Sequence, residues 1–201
     1  MKKVVFTLII ILLFSVAKTK AQSQSVGPEQ LKEFKELTKQ RVNDLTHYIQ
    51  QIGDKSLNDR LRQKSIKLAI SLFDTLNYDE KGRKILRMPT VQVSRKDGTV
   101  ENIPIKTYFN NLYKLPRFPK VEITSYDLSY CSDFEKGADG NYHATAYYYQ
   151  EFKGFDKNEQ LLYHSKDRKA IEVTEKPNAK GNFTILFGNI IVVETIQMPN
   201  E

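Results

Sequence analysis

Between residues 121 and 195 the chain repeats one pattern: long stretches dominated by Tyr, Phe, Val, Ile and Thr, broken three times by short polar segments. The stretches are Val121–Phe134, Tyr142–Phe155, Leu161–Glu175 and Phe183–Thr195, and their β-branched and aromatic content predicts four strands. The breaks read EKGADGN, FDKNE and KPNAKGN. Asp139-Gly140 is the strongest turn signal, because tight hairpin turns need positive φ, which Gly, Asn and Asp adopt most readily. Consecutive hairpins make an antiparallel meander. Each run is more than twice the usual strand of roughly 5 to 6 residues, and a sheet so long accumulates twist and must curl. Its concave side then needs filling.

The first half of the chain supplies the filling. Pro28, after Ser25-Val26-Gly27, suits the first turn of a helix, and Glu29 and Glu33 lie near the positive end of its dipole. Leu31, Phe34, Leu37, Val42, Leu45, Ile49 and Ile52 recur as one apolar stripe until Gly53 stops it. Ser56-Leu57-Asn58-Asp59 resembles a cap for a second helix, with Leu57, Leu61, Leu68, Ala69, Leu72 and Phe73 as its buried side. Residues 74–90 read as irregular. Val91–Ser94 and Thr99–Glu101 flank Lys96-Asp97-Gly98 as a short hairpin. A third helix follows from about Pro104 to Leu115, closed by Pro116 and Pro119.

Strand alternation sorts the second half into two faces. With Asp139-Gly140 as a two-residue turn, Tyr130 opposes Tyr149 and Cys131 opposes Tyr148; a second turn centred on Lys157-Asn158 sets the next pair of strands. The inward face then carries Ser125, Asp127, Ser129, Cys131, Ala144 and Ala146, together with Tyr142, Tyr148, Gln150 and Tyr163. The outward face carries Tyr126, Tyr130, Tyr147, Tyr149, Lys166 and Arg168. A single bulge would exchange the faces beyond it.

The order helix, helix, short hairpin, helix, four long antiparallel strands defines an α+β fold in which the curved sheet wraps the helices. This order, the strand lengths and the stretch IPIKTYFNNLYKLPRFPKVEITSYDLSYCSDFEKGADGNYHATAYYYQEFKGF resemble the nuclear transport factor 2-like superfamily. Ketosteroid isomerase, scytalone dehydratase and SnoaL-like polyketide cyclases share that cone-shaped fold. The resemblance covers nearly all of residues 28–195 and extends to exported bacterial members of unknown role. It implies a fold; no catalytic motif of those enzymes carries over onto residues of this chain.

Composition alters this picture at the N-terminus. Lys2 and Lys3 precede an apolar stretch, Val4–Ala17, and Thr19-Lys20-Ala21 makes a small-residue cleavage site, so residues 1–21 read as a secretory leader and residues 22–201 as one domain. The leader carries four lysines and no acid, so its removal lowers the net charge from +7 to +3. That is an ordinary surface, not a nucleic-acid footprint. The sole cysteine, Cys131, is far from the cleavage site, which argues against a lipoprotein and excludes an internal disulfide. The expected product is soluble, without a membrane span, in the periplasm or outside the cell.

Among candidates for chemistry, Asp127 stands out because it shares the inward face with small neighbours where a cavity could open. A carboxyl there would have a raised pKa and serve as general base, with Tyr148 or Tyr163 donating to a developing oxyanion. The same carboxyl could instead be a satisfied core acceptor. Asp127, Tyr142, Tyr148, Gln150 and Tyr163 are the candidate ligand-binding set, and Tyr126, Tyr130, Tyr147, Tyr149 and Arg168 a candidate interface, which would suit a homodimer. His143 and His164 are out of step along neighbouring strands, so no metal site is expected. Phosphate-loop and dinucleotide signatures are absent, and no cofactor is implied. The reading is a non-catalytic envelope protein that binds a small ligand or a partner protein. The alternatives are an isomerase, dehydratase or cyclase built on Asp127, and an assembly protein using its tyrosine face.

Overall fold

The computed structural model describes residues 26–78, 84–95, 97–126, 130–177 and 182–197. Helix α1 (Pro28–Gly53) begins after an extended Gly27 with proline in its first turn, and it buries Phe34, Val42, Leu45, Ile49 and Ile52. Helix α2 (Asp59–Ser71) is capped by Asn58, whose side chain accepts from the Leu61 amide at 2.9 Å. Its inward face differs from the expected one. Ala69, Leu72 and Phe73 are buried as expected, but Leu68 is 36% exposed, and the polar Arg62 and Ser65 are buried as well.

Arg62 is buried because it has partners inside. Its guanidinium donates from Nε and Nη2 to the Ile52 carbonyl at 3.1 and 2.9 Å, and from Nη2 to the Tyr113 carbonyl at 2.6 Å. It also stacks 4.3 Å over the Tyr113 ring. Carbonyls in the last turn of a helix have no partner within that helix, so one buried cation on α2 satisfies the C-terminal ends of two other helices.

Strands β1 (Leu76–Tyr78) and β2 (Lys84–Leu86) form a separate antiparallel pair in the segment that looked irregular. The predicted hairpin is β3 (Thr90–Ser94) with β4 (Val100–Pro104), Gly98 turning it at φ +81. Helix α3 (Ile105–Lys114) ends at Leu115, whose φ is 23, just before Pro116. Then come β5 (Lys120–Ser125), β6 (Tyr130–Cys131), β7 (Glu135–Lys136), β8 (Tyr142–Phe155), β9 (Leu161–Pro177) and β10 (Phe183–Gln197).

The main sheet runs β4-β3-β10-β9-β8-β5, with β6 and β7 also on β8. All its pairs are antiparallel except β10 with β3, which meet parallel at Ile190 and Val91 and so add the hairpin to the meander. The helices fill the concave side. Phe73 packs edge-on against Phe109 and Phe187, at ring separations of 6.2 and 5.9 Å.

Three expectations about register are corrected. Val121–Phe134 is not one strand, because β5, β6 and β7 meet β8 in three different registers. Tyr130 opposes Tyr147, and Cys131 opposes Ala146. Part of the shift comes from a longer loop between Lys136 and Tyr142, where Asp139 accepts from Asn141 and His143 and Gly140 takes φ +80, and the rest from a second change of register between β6 and β7. The second turn also spans more than Lys157-Asn158: Phe155 opposes Leu161, and Asp156 accepts from the Asn158 and Gln160 amides at 2.7 and 2.8 Å. The β6–β8 pairs, and the β8–β9 pairs from Tyr142–Glu175 to Gly154–Tyr163, are displaced by two residues from the expected ones, an even shift that leaves the faces unchanged, whereas Phe155–Leu161, past an irregularity at Gly154, is displaced by one.

Candidate functional site

Between α3, the β3–β4 hairpin and the concave sheet lies a cavity of about 540 Å³, within the usual range for small-molecule sites. Its apolar wall comes from Val93, Ile103, Leu112, Leu115, Phe118 and Phe152. Phe118 lies against the sheet because β8 carries Gly154 there: a Cβ at that position would stand 2.5 Å from the Phe118 ring. Arg95, Asp97, Asn111 and Arg117 complete the lining on the hairpin and α3 side, with Arg95 ion-paired to Glu101.

One polar row crosses the sheet here, with its two middle members, Gln150 and Asp167, in the cavity lining. Ser125, Gln150, Asp167 and Thr195 are successive cross-strand partners on β5, β8, β9 and β10. Thr195 joins the row because register shifts between Val192 and Glu194, and such a bulge re-aims the side chains beyond it. Asp167 is buried, and its Oδ1 accepts from Thr195 Oγ1 at 2.9 Å and Ser94 Oγ at 3.2 Å. Gln150 Nε2 and Ser125 Oγ, at the other end of the row, are buried with no hydrogen-bond partner among the described residues. Unpaired buried donors are costly and call for an explanation.

Lys169 stands two positions beyond Asp167 on the same face of β9 and also lines the cavity. Its Nζ lies 3.6 Å from Asp167 Oδ2 and 3.4 Å from the Gln92 carbonyl. Burial pulls its pKa below the ordinary lysine value, and the Asp167 carboxylate opposes the shift. Tyr108, half-buried at its ring with its hydroxyl deep inside, is pushed well above the usual phenol range by burial, with Asp167 adding to the effect. Burial does the same to Tyr148, seconded by Tyr108 and Asp167. Both phenols therefore stay protonated and remain donors at neutral pH.

The structure brings together only part of the candidate set. Gln150 and Tyr163 line the cavity. Tyr148 lies at the edge of this region, opposite Lys169 and 1% exposed, outside the lining. Tyr142 sits at the far end of β8, where its hydroxyl accepts from the Val26 amide at 3.2 Å and its ring lies 6.0 Å from Phe34. Asp127 and Ser129 lie outside the described residues. Asp167, Lys169, Tyr108, Ser94 and Ser165 were not anticipated. Alternation carried the signal for three of them, since Ser165, Asp167 and Lys169 share parity with inward Tyr163 and Ile171.

The candidate interface residues lie on the convex face. Lys166 sits over the rings of Tyr126 and Tyr149 at 4.7 and 5.3 Å, and Arg168 over Tyr147 at 5.0 Å. Tyr130 pairs with Tyr147 at a ring separation of 5.9 Å. Glu151 accepts from Tyr126 Oη at 2.7 Å and from His164 at 2.6 Å, and these bonds, with Lys153, hold its pKa down at about 2 against partial burial. His143 pairs with Thr174, far along β9 from His164. Among the described residues no three His, Cys, Asp or Glu side chains converge as a metal site requires. Burial raises the Cys131 thiol to about 11, which keeps it unreactive. Among the described residues no helix is long and apolar enough to cross a membrane.

No protein-family model matches the chain, and no curated protein matches it. Several solved structures do. A nuclear transport factor 2-like protein of unknown function from Shewanella baltica is 9% identical, with 87% of this chain and 99% of that chain covered at a TM-score of 0.39. ActVI-ORFA from Streptomyces coelicolor is 10% identical, with coverages of 76% and 92% and a TM-score of 0.40. The epoxide hydrolase/cyclase-like enzyme SalBIII, of pyran ring formation in salinomycin, is 13% identical, with coverages of 79% and 96% and a TM-score of 0.35. At these identities and TM-scores the likenesses assign this chain neither a family nor a chemistry. The helix-helix-hairpin-helix-sheet order is the one implied by the resemblance of the sequence to the nuclear transport factor 2-like superfamily.

Proposed function

We propose that the protein is a non-catalytic binding protein for a small, largely apolar, uncharged molecule, held in the concave cavity by a hydrogen-bond acceptor. The observation that carries this reading is the pair of unpartnered donors, Gln150 Nε2 and Ser125 Oγ, in the polar row beside the cavity. A ligand oxygen there would supply the bonds that the fold leaves open. The local charges argue for a neutral ligand, because Lys169 is offset by Asp167 and Arg95 by Glu101. Action in the cell envelope is part of the proposal and is supported by the lysine-flanked apolar stretch in residues 1–21.

The test is occupancy. A neutral fluorophore such as 1-aminoanthracene should gain emission on binding the mature chain. Ser165→Phe, placing a ring from β9 into the cavity beside Phe152, should weaken that binding by about tenfold or more, equal to about 1.4 kcal/mol, while the variant stays folded. Unaltered dye affinity in a folded Ser165→Phe protein would refute the cavity as the binding site.

A further inference from the structure

We propose that Lys169 captures aldehydes: within the cavity its amine condenses with the carbonyl carbon of a small apolar aldehyde to form an iminium, releasing one water. This inference rests on the cavity being a ligand site and adds the ligand's chemical class.

Geometry carries the argument. Lys169 is 3% exposed yet belongs to the cavity lining, so it borders the space a ligand would fill while shielded from bulk water. Its contacts at 3.4 and 3.6 Å exceed the roughly 2.7–2.9 Å of a well-made ammonium hydrogen bond, so the nitrogen is held loosely. Asp167 is fixed, because Thr195 and Ser94 engage Oδ1 and leave Oδ2 toward the amine. The other titratable groups nearby are the hydroxyls of Tyr108 and Tyr148, with Arg95, Asp97 and Arg117 in the lining beyond. Burial favours the neutral amine, the nucleophilic form.

The step balances within this set. Asp167 Oδ2 takes one proton from the ammonium, and the freed lone pair forms a C–N bond as the carbonyl π pair moves to oxygen. A proton passes from nitrogen to that oxygen, giving a carbinolamine. Asp167 returns its proton to the hydroxyl, which leaves as water, and the nitrogen lone pair closes the C=N bond. The product is an iminium paired with the Asp167 carboxylate, so the charge of the site is the same before and after, and hydrolysis reverses the capture.

The experiment uses the full mature chain, benzaldehyde and sodium cyanoborohydride at pH about 7, where exposed lysines of pKa about 10.4 are protonated. Peptide mapping should find a benzyl group on Lys169 at a rate about tenfold above any other lysine, with the α-amino terminus as an internal comparison, and Lys169→Arg should lose that label. Labelling spread over surface lysines with Lys169 untouched would overturn the proposal. If 1-aminoanthracene still binds in that case, covalent capture alone is wrong. If it does not, the cavity reading fails with it.

Discussion

Arg62→Ala should destabilise the protein by about 2–5 kcal/mol, the cost of stranding two buried backbone acceptors, read as a lower urea midpoint. The guanidinium makes three hydrogen bonds to two backbone carbonyls, and neither Ile52 nor Tyr113 has another donor within hydrogen-bonding reach in its own helix. Truncation therefore strands two acceptors, each costing about 1–3 kcal/mol, and removes the plane stacked on Tyr113. Arg62→Lys should fall between, since one ammonium cannot span both helix ends as a planar fork does. A loss below about 1 kcal/mol for the alanine variant would mean that the helix ends find other partners and that α2 is not oriented by this residue.

The second large effect concerns Glu175, at the end of the sheet opposite the cavity. It is a cross-strand partner of Tyr142 and Ile185, is 1% exposed, and has no partner for Oε1 among the described residues. Burial raises its pKa from the ordinary 4.5 to about 7. The folded state then holds this proton more tightly than the unfolded chain, so unfolding free energy falls as pH rises from 4.5 to about 7 and levels off above. The loss should be on the order of 2 kcal/mol, less than the full 1.4 kcal/mol per pH unit, because the carboxyl is sealed off yet close under the surface, where water screens the ionised form. Glu175→Gln should remove this slope and be more stable than wild type at pH about 8. Urea melts of both proteins across that range decide it, and parallel pH profiles would contradict the assignment.

The helices were legible because their signals are local. Pro28, Gly53, Asn58 and Pro116 mark ends that the backbone honours to within a residue or two, and the apolar stripe of α1 is the stripe that is buried. Apart from Val121–Phe134, which breaks into shorter strands, the strands were legible as elements, and the β8–β9 faces survived because an even slip preserves parity. Depth along a strand was not legible. Tyr142 and Gln150 share a face, but the first lies under the start of α1 and the second at the cavity, a difference set by long-range packing. The parallel junction of β3 with β10 joins residues about a hundred apart in sequence, and the bulge before Thr195 is a feature of the β9–β10 pairing that alternation does not mark. Asp167 and Lys169 were hidden by a charged run, Lys166 to Lys169, whose outward members Lys166 and Arg168 drew the reading to the convex face. Alternation alone would have sent the other two inward.

The most direct test of the binding account is a pair of titrations with 2-acetylnaphthalene and 2-ethylnaphthalene, which differ by one carbonyl, on wild type and Gln150→Leu. If the unpartnered amide exists to meet a ligand acceptor, wild type should prefer the ketone by about tenfold, or about 1.4 kcal/mol. Gln150→Leu should lose that preference while keeping the hydrocarbon's affinity. Equal affinities in wild type, or a preference that survives in the variant, would show that the polar row serves the fold alone and that the cavity does not select its occupant.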